Sequence, residues 1–337
     1  MREPVTVEEN AFRKGRAVFA SEEPTISWLP APGDEQSMAE ATRRSGARVV
    51  VLGATQYRGA LYDALAANGG GRATLIARFG VGYDGIDAEA CRRRGILVTN
   101  TPGALDESVA EHAVALLLAL ARRVPGHDGS TRSGEWKPMT TFELRGQTLG
   151  IAGFGRIGKR TAAIAARGFG MRIHAFDTLS IEEQASSGKT SVDELKARHS
   201  IEGYHTDFAA FARSTRLISI HLPVTPETRA FFSRERLGML REGTLLVNTG
   251  RGALIDENAL YDELRAGRLG GAALDVFARE PYVAADAGRD LRTLPNVICT
   301  PHVASDTEEA NANMANGVMA NVRAFLRGSL DSLTRVI

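Results

Sequence analysis

Short runs with few polar interruptions recur along this chain: ARVVVLGA (47–54), ATLIARFG (73–80), GILVTNTP (95–102), TLGIAGFG (148–155), MRIHAFD (171–177), RLISIHLP (216–223), GTLLVNTG (243–250), GAALDVFA (271–278) and NVICTPH (296–302). A strand with one wet face alternates polar and apolar residues, so runs like these predict strands covered on both sides. Segments of helical character separate them. Strand and helix in alternation build parallel sheets, because a parallel crossover needs a connection about as long as a helix. The expected fold class is therefore α/β, with doubly wound parallel sheets of Rossmann-like or flavodoxin-like type. A length of 337 residues makes room for two such domains.

Composition removes several classes of function. Forty-one Lys and Arg against forty Asp and Glu leave a formal charge of +1, which provides no field for a polyanion, and nucleic acid is not expected as a partner. Cys91 and Cys299 stand far apart in unrelated contexts, so neither a disulfide framework nor a metal site is expected. The first residues, MREPVTVEENAFRKGRAVFA, carry charges every few positions and lack the apolar core of a signal peptide, from which a cytoplasmic location is expected. AVALLLALA (113–121) is too short to span a bilayer and predicts a buried helix, part of a longer one over 107–124 with Ser108 as its N-cap. A last amphipathic helix over 307–328 places Met314, Val318, Val322 and Phe325 on one face and is expected to return to the N-terminal domain.

The sequence GFGRIG (153–158) fits G-x-G-x-x-G in a strong context. It follows the strand TLGIA, opens a helix with Ile157, Ala162, Ala163 and Ala166 on it, and precedes a strand ending at Asp177, nineteen residues beyond Gly158. Gly153, Gly155 and Gly158, with Arg156 and Ile157 between them, would let backbone approach a pyrophosphate at a helix N-terminus. Asp177 would accept hydrogen bonds from the adenosine ribose and repel a 2′-phosphate. No Arg follows it in DTLSIEE, so NAD is predicted over NADP.

Ligands of doubly wound sheets sit beyond the carboxyl ends of the strands. Arg251, Glu280 and His302 fall at or just past such ends. An arginine can hold a carboxylate with two parallel hydrogen bonds, and a histidine can give a proton to a carbonyl oxygen and take it back. A neighbouring glutamate would orient the imidazole. His221, the rival histidine at a strand end, is read as packing near the cofactor.

These residues and their surroundings resemble the D-isomer-specific 2-hydroxyacid dehydrogenases over about residues 45–328, through RFGVGYDGID (78–87), VTNTPGALDESVAEHAVALLLALAR (98–122), GFGRIGKR (153–160), HLPVTPET (221–228), VNTGRGALIDENAL (247–260), ALDVFAREP (273–281) and TPHVAS (300–305). The resemblance implies a substrate domain from residues 1–105 and 304–337, a Rossmann domain binding NAD from 106–303, and a cleft between them. It implies that Arg251 binds the substrate carboxylate, that His302 is the acid/base and that Glu280 is its partner. The backbone of Gly80, Val81 and Gly82 would bind the substrate carboxylate. Asp275 would hold the nicotinamide carboxamide, and Pro223, Thr228 and Thr249 would line the cofactor. Homodimers form through the nucleotide domain in this family, which would give the helix over 108–122 an interface role. Two polar stretches, 178–207 and 282–290, are longer than the resemblance leads one to expect. Two other readings stay open on the same motifs: an NADH-sensing regulatory protein, and a dehydrogenase of a non-carboxylate donor such as phosphite.

Overall fold

Each of the apolar runs folds as a strand, and every pairing between the strands of the two sheets is parallel. The computed structural model describes residues 2–20 and 25–337. Its contacts divide the chain into two units, Met1–Leu105 with Asp306–Ile337, and Asp106–Ser305.

The first unit holds β1 (Glu3–Glu8), β2 (Ile26–Ala31), β3 (Val49–Leu52), β4 (Thr74–Arg78) and β5 (Ile96–Thr99) in the order β2-β1-β3-β4-β5. Every residue of β3 is buried, which accounts for its unbroken apolar sequence. The helix Glu308–Leu326 belongs to this unit, with Met314, Val318, Val322 and Phe325 buried at the predicted spacing. Thr307 caps it by accepting a hydrogen bond from the Ala310 N–H. Asn321, on the same helix, is buried and donates to the Asn100 carbonyl and the Thr334 hydroxyl, pinning the chain end beside β5.

The second unit holds β6 (Thr148–Ala152), β7 (Arg172–Phe176), β8 (Ile201–His205), β9 (Leu217–Ile220), β10 (Leu245–Asn248), β11 (Gly271–Leu274) and β12 (Val297–Cys299). Their order is β12-β11-β10-β9-β6-β7-β8, so the sheet grows one way from β6 to β8 and the other way from β9 to β12. A crevice opens where neighbouring connections leave to opposite faces, here between β6 and β9.

Several expectations need correction. The helix over 107–124 begins at Asp106 and ends at Ala121, so Ser108 lies inside its first turn and is not its N-cap. Asp106 and Glu107 occupy that turn, where carboxylates interact favourably with the helix dipole, and they pair with Arg156 and Arg160. The helix packs its apolar face into the unit's own core, where Ala113, Leu116, Leu117 and Leu120 cluster with Leu149, Ile151, Leu245 and Val247. The polar stretch 178–207 is not a long loop: it forms the helices Ile181–Ser187 and Val192–His199, each capped by a serine, and then β8. Strands β1, β2 and β8 have no counterpart among the sequence-predicted runs. The second boundary falls after Ser305 rather than after residue 303, because the Val303 and Ala304 N–H groups are bound to Asp275 of the second unit.

Candidate functional site

The β6–β9 switch point carries the glycine fingerprint. Gly153 has φ +99°, which a side chain resists, and a Cβ there would lie 2.6 Å from the His221 carbonyl carbon at the end of β9. At Gly158 a Cβ would meet the Gly153 oxygen at 2.1 Å, so glycine lets helix and strand close together. Gly155 is the N-cap of the helix Arg156–Phe169, with no side chain bonded to the free first-turn N–H groups, and a Cβ at Gly155 would face open space. Ile157 is half-buried, and the exposed Arg156 pairs with Asp106 at 2.7 Å.

Asp177 follows β7 with its carboxylate already aimed: one oxygen accepts from the Phe154 N–H (2.8 Å) and the other from the Leu179 N–H (3.1 Å). The Thr249 hydroxyl is buried without a hydrogen-bond partner, an orphan that a bound group would satisfy. Thr228 donates to the Pro223 carbonyl at 2.6 Å, so these two close a turn on each other after β9. A helix N-terminus free to receive phosphate, an aimed carboxylate and an orphaned hydroxyl all fit a dinucleotide.

Further along the same edge of the sheet, Arg251, Glu280 and His302 converge. One Glu280 oxygen accepts from the Phe277 N–H at 2.9 Å, and the other lies 2.7 Å from His302 Nδ1. Burial alone would push the Glu280 carboxyl up. The His302 ring, the Phe277 N–H and the nearby Arg251 charge outweigh burial and hold it below its ordinary value. An ionised carboxylate only accepts, so Nδ1 carries the hydrogen and Nε2 is the ring nitrogen left unengaged by Glu280. Arg251 is half-buried at the end of β10, where the Asn248 side chain donates to its carbonyl at 2.9 Å.

Asp275, expected beside the nicotinamide carboxamide, directly follows β11. It is fully buried, and its two oxygens accept from the Thr300 hydroxyl (2.6 Å), the Val303 N–H (3.0 Å) and the Ala304 N–H (2.9 Å). Burial would raise its carboxyl, but hydrogen bonds from His112, Thr300, Val303 and Ala304 win and lower it. The bonds it makes shape the turn carrying His302. Thr300 and His112 are members of this network that sequence reasoning missed. Thr300 precedes Pro301 within TPH, the one signal that could have drawn attention to it.

In the first unit, the loop after β4 is tied down by its carbonyls. Gly80 O accepts from the Thr101 N–H (3.1 Å), Val81 O from the Asn100 side chain (2.8 Å) and Gly82 O from Arg78 Nε (2.8 Å). With the carbonyls held by the chain, the N–H groups of Gly80, Val81 and Gly82 are the donors the loop offers to an anion. Among the described residues no cluster of three or more His, Cys, Asp or Glu could hold a metal, and no helix is long and apolar enough to cross a membrane.

A family model described as D-isomer specific 2-hydroxyacid dehydrogenase, NAD binding domain, matches residues 114–304. The chain is 40% identical over 265 residues to a glyoxylate reductase of Thermococcus litoralis, covering 76% of this chain and 75% of that one. Among solved structures it is similar to an NADPH-dependent glyoxylate/hydroxypyruvate reductase of Sinorhizobium meliloti in complex with NADP and malonate, at 28% identity and TM-score 0.79 over 97% of this chain and 94% of that one. It is also similar to a D-lactate dehydrogenase of Aquifex aeolicus complexed with NAD and lactic acid, at 26% identity and TM-score 0.80 over 98% and 97%.

His221 packs at the switch point, its Nε2 2.8 Å from the Ser219 hydroxyl, and burial pushes its imidazole from 6.5 down to about 4. As pH falls, the unfolded chain takes up this proton before the folded one does. Its contribution to stability is therefore complete above pH 6.5 and is lost as pH approaches 4. Melting temperature should fall over that window, and His221→Asn should flatten the fall. A variant with the wild-type pH dependence would assign the effect to His174, His199 and His205, which burial also lowers.

Proposed function

The chain belongs to the D-isomer-specific 2-hydroxyacid dehydrogenases, and from that premise we propose that His302 is its acid/base, Glu280 the partner that fixes the imidazole, and Arg251 the clamp on the substrate carboxylate. It is an oxidoreductase that interconverts 2-oxo and 2-hydroxy acids with a nicotinamide dinucleotide. The observation that carries the assignment of roles is the 2.7 Å contact between His302 Nδ1 and Glu280, which leaves Nε2 for the substrate oxygen.

A nicotinamide dinucleotide, when bound, would supply hydride to the carbonyl carbon or take it in the reverse direction. Arg251 binds the carboxylate and turns the carbonyl oxygen toward His302. His302 Nε2 gives that oxygen a proton as negative charge develops on it, and Glu280 stabilises the ring while it is charged. The Gly80, Val81 and Gly82 N–H groups are proposed as further donors to the substrate carboxylate. Gly153, Gly155, Arg156, Ile157 and Gly158 would hold the pyrophosphate, with Pro223, Thr228 and Thr249 along the dinucleotide. A small 2-oxo acid of the glyoxylate type is the proposed substrate, by similarity to the reductases above.

NAD is proposed over NADP because the Asp177 carboxylate, held by two backbone N–H groups, stands where a ribose 2′-phosphate would be repelled. A homodimer is proposed through residues 124–142: the helix Val124–Arg132 buries none of its residues, while Val124, Trp136 and Phe142 are 51%, 78% and 39% exposed. Cys299 is a free, exposed thiol, which favours a reducing compartment and supports a cytoplasmic location.

Oxidation of NADH at its own absorbance band, with glyoxylate, hydroxypyruvate and pyruvate, tests the reaction. His302→Ala should lower kcat by about a hundredfold to ten-thousandfold while NADH still binds. Arg251→Ala should lower kcat/KM for the oxo acid, again leaving NADH affinity in place. Full turnover in either variant would remove that residue from its role. Asp177→Ser should cut the NADH to NADPH preference at least about tenfold, some 1.4 kcal/mol of discrimination, and an unchanged ratio would contradict its ribose role. Sedimentation should give a dimer that Trp136→Glu dissociates; a wild-type monomer would exclude the interface.

A further inference from the structure

Behind the His302 turn lies a set of polar groups that the proton transfer itself does not use. His302 has φ +55°, a left-handed conformation that a side-chain-bearing residue keeps only where its surroundings enforce it. Two features enforce it here. The His302 N–H donates to the Asp275 carbonyl (2.8 Å), and the next two N–H groups, of Val303 and Ala304, converge on the Asp275 carboxylate. Successive N–H groups beside a left-handed residue form a concavity that binds anions, and here the anion is one of the chain's own side chains.

A buried carboxylate is stable only while its donors stay in place. Three of those donors, the Thr300 hydroxyl and the two N–H groups, belong to residues 300–304. The fourth comes from elsewhere. His112, on the helix Asp106–Ala121, places Nε2 3.3 Å from the Thr300 hydroxyl and 3.5 Å from Asp275 Oδ1. It is the one ionisable donor of the four, and its side chain is 24% exposed while that of Asp275 is wholly enclosed. The helix supplying it is anchored in the core through Ala113, Leu116 and Leu117, so the imidazole is presented from a rigid support.

We infer that His112 is a positioning residue: through the Thr300 hydroxyl and the Asp275 carboxylate it fixes the 300–304 turn, and thereby the direction in which His302 presents Nε2. The inference rests on His302 being the acid/base. A proton donor displaced by a fraction of an ångström loses rate without losing ligand, since alignment rather than binding energy is what suffers.

The test compares His112→Leu, His112→Gln, Thr300→Val and the His112→Leu/Thr300→Val double variant in the full-length enzyme. Readouts are kcat with glyoxylate, the NADH dissociation constant by fluorescence, and melting temperature. His112→Leu should lower kcat by about tenfold to a hundredfold while the NADH dissociation constant stays within about twofold. His112→Gln keeps a side-chain donor and should recover most of the rate. The double variant should be little worse than either single one, because both break one chain of contacts.

Multiplying losses in the double variant would overturn the inference, as would NADH affinity falling in step with kcat. A rate loss in His112→Leu that merely tracks a fall in melting temperature, with no recovery in His112→Gln, would reduce His112 to a structural residue and overturn it too. His302→Ala separates the two levels. If that variant is inactive while His112→Leu keeps full rate, the inference alone fails; if His302→Ala keeps full rate, the acid/base assignment fails and takes the inference with it.

Discussion

A carboxylate shut away from water has to be surrounded by donors, and the enclosure of Asp275 organises everything near it. The segment just after β11 makes two anchors within six positions. Asp275 takes the backbone N–H groups that follow His302, and Glu280 takes the imidazole itself. Backbone and ring of one histidine are thus fixed from the same segment. Glu280 is fixed in turn by the Phe277 N–H inside that segment, so both of its oxygens are engaged, one by backbone and one by the ring.

The parallel sheets explain why these groups gather on one edge. Parallel strands end together, and Asp177, Arg251, Asp275 and His302 all follow strand ends of one sheet, as Gly80 to Gly82 do in the other. Strands buried on both faces leave a plain signature, and each of the nine apolar runs in the sequence is a strand. The glycine fingerprint was legible for the same reason: Gly153 and Gly158 are demanded by close backbone approach, which any other residue would prevent. Convergence of Arg251, Glu280 and His302 was not legible, because it depends on loops of unequal length closing on one another.

Two of the three missed strands share a physical cause. Strands β2 and β8 are edges, where one side of the ladder is unpaired and neither face is fully covered, so ISWLPA tolerates Pro30 and IEGYH tolerates polar residues. Strand β1 lies inside its sheet, yet it is bounded by Glu3 and Glu8 and reads as charged sequence. Asp275 was found as a residue, but its enclosure was not legible, since LDVF contains nothing that says whether the acid faces outward or in. His112 was hidden in the opposite way: on a helix of almost unbroken apolar sequence it looks like the polar end of a core element, and only the fold brings it to Thr300, far along the chain.

The strand concealed in the polar stretch alters how its neighbour fluctuates. Without β8, β7 would be an edge, free to fray at the end where Asp177 begins. With it, β7 is bonded on both sides, and the His205 carbonyl accepts the Asp177 N–H itself at 3.2 Å. Opening the backbone under that acid then requires two ladders to separate together, which moves Asp177 from the fast-exchanging margin of the sheet into its slow-exchanging interior. What reads in sequence as a long insertion acts in the fold as a splint: it lowers the conformational entropy of the segment that carries the carboxylate.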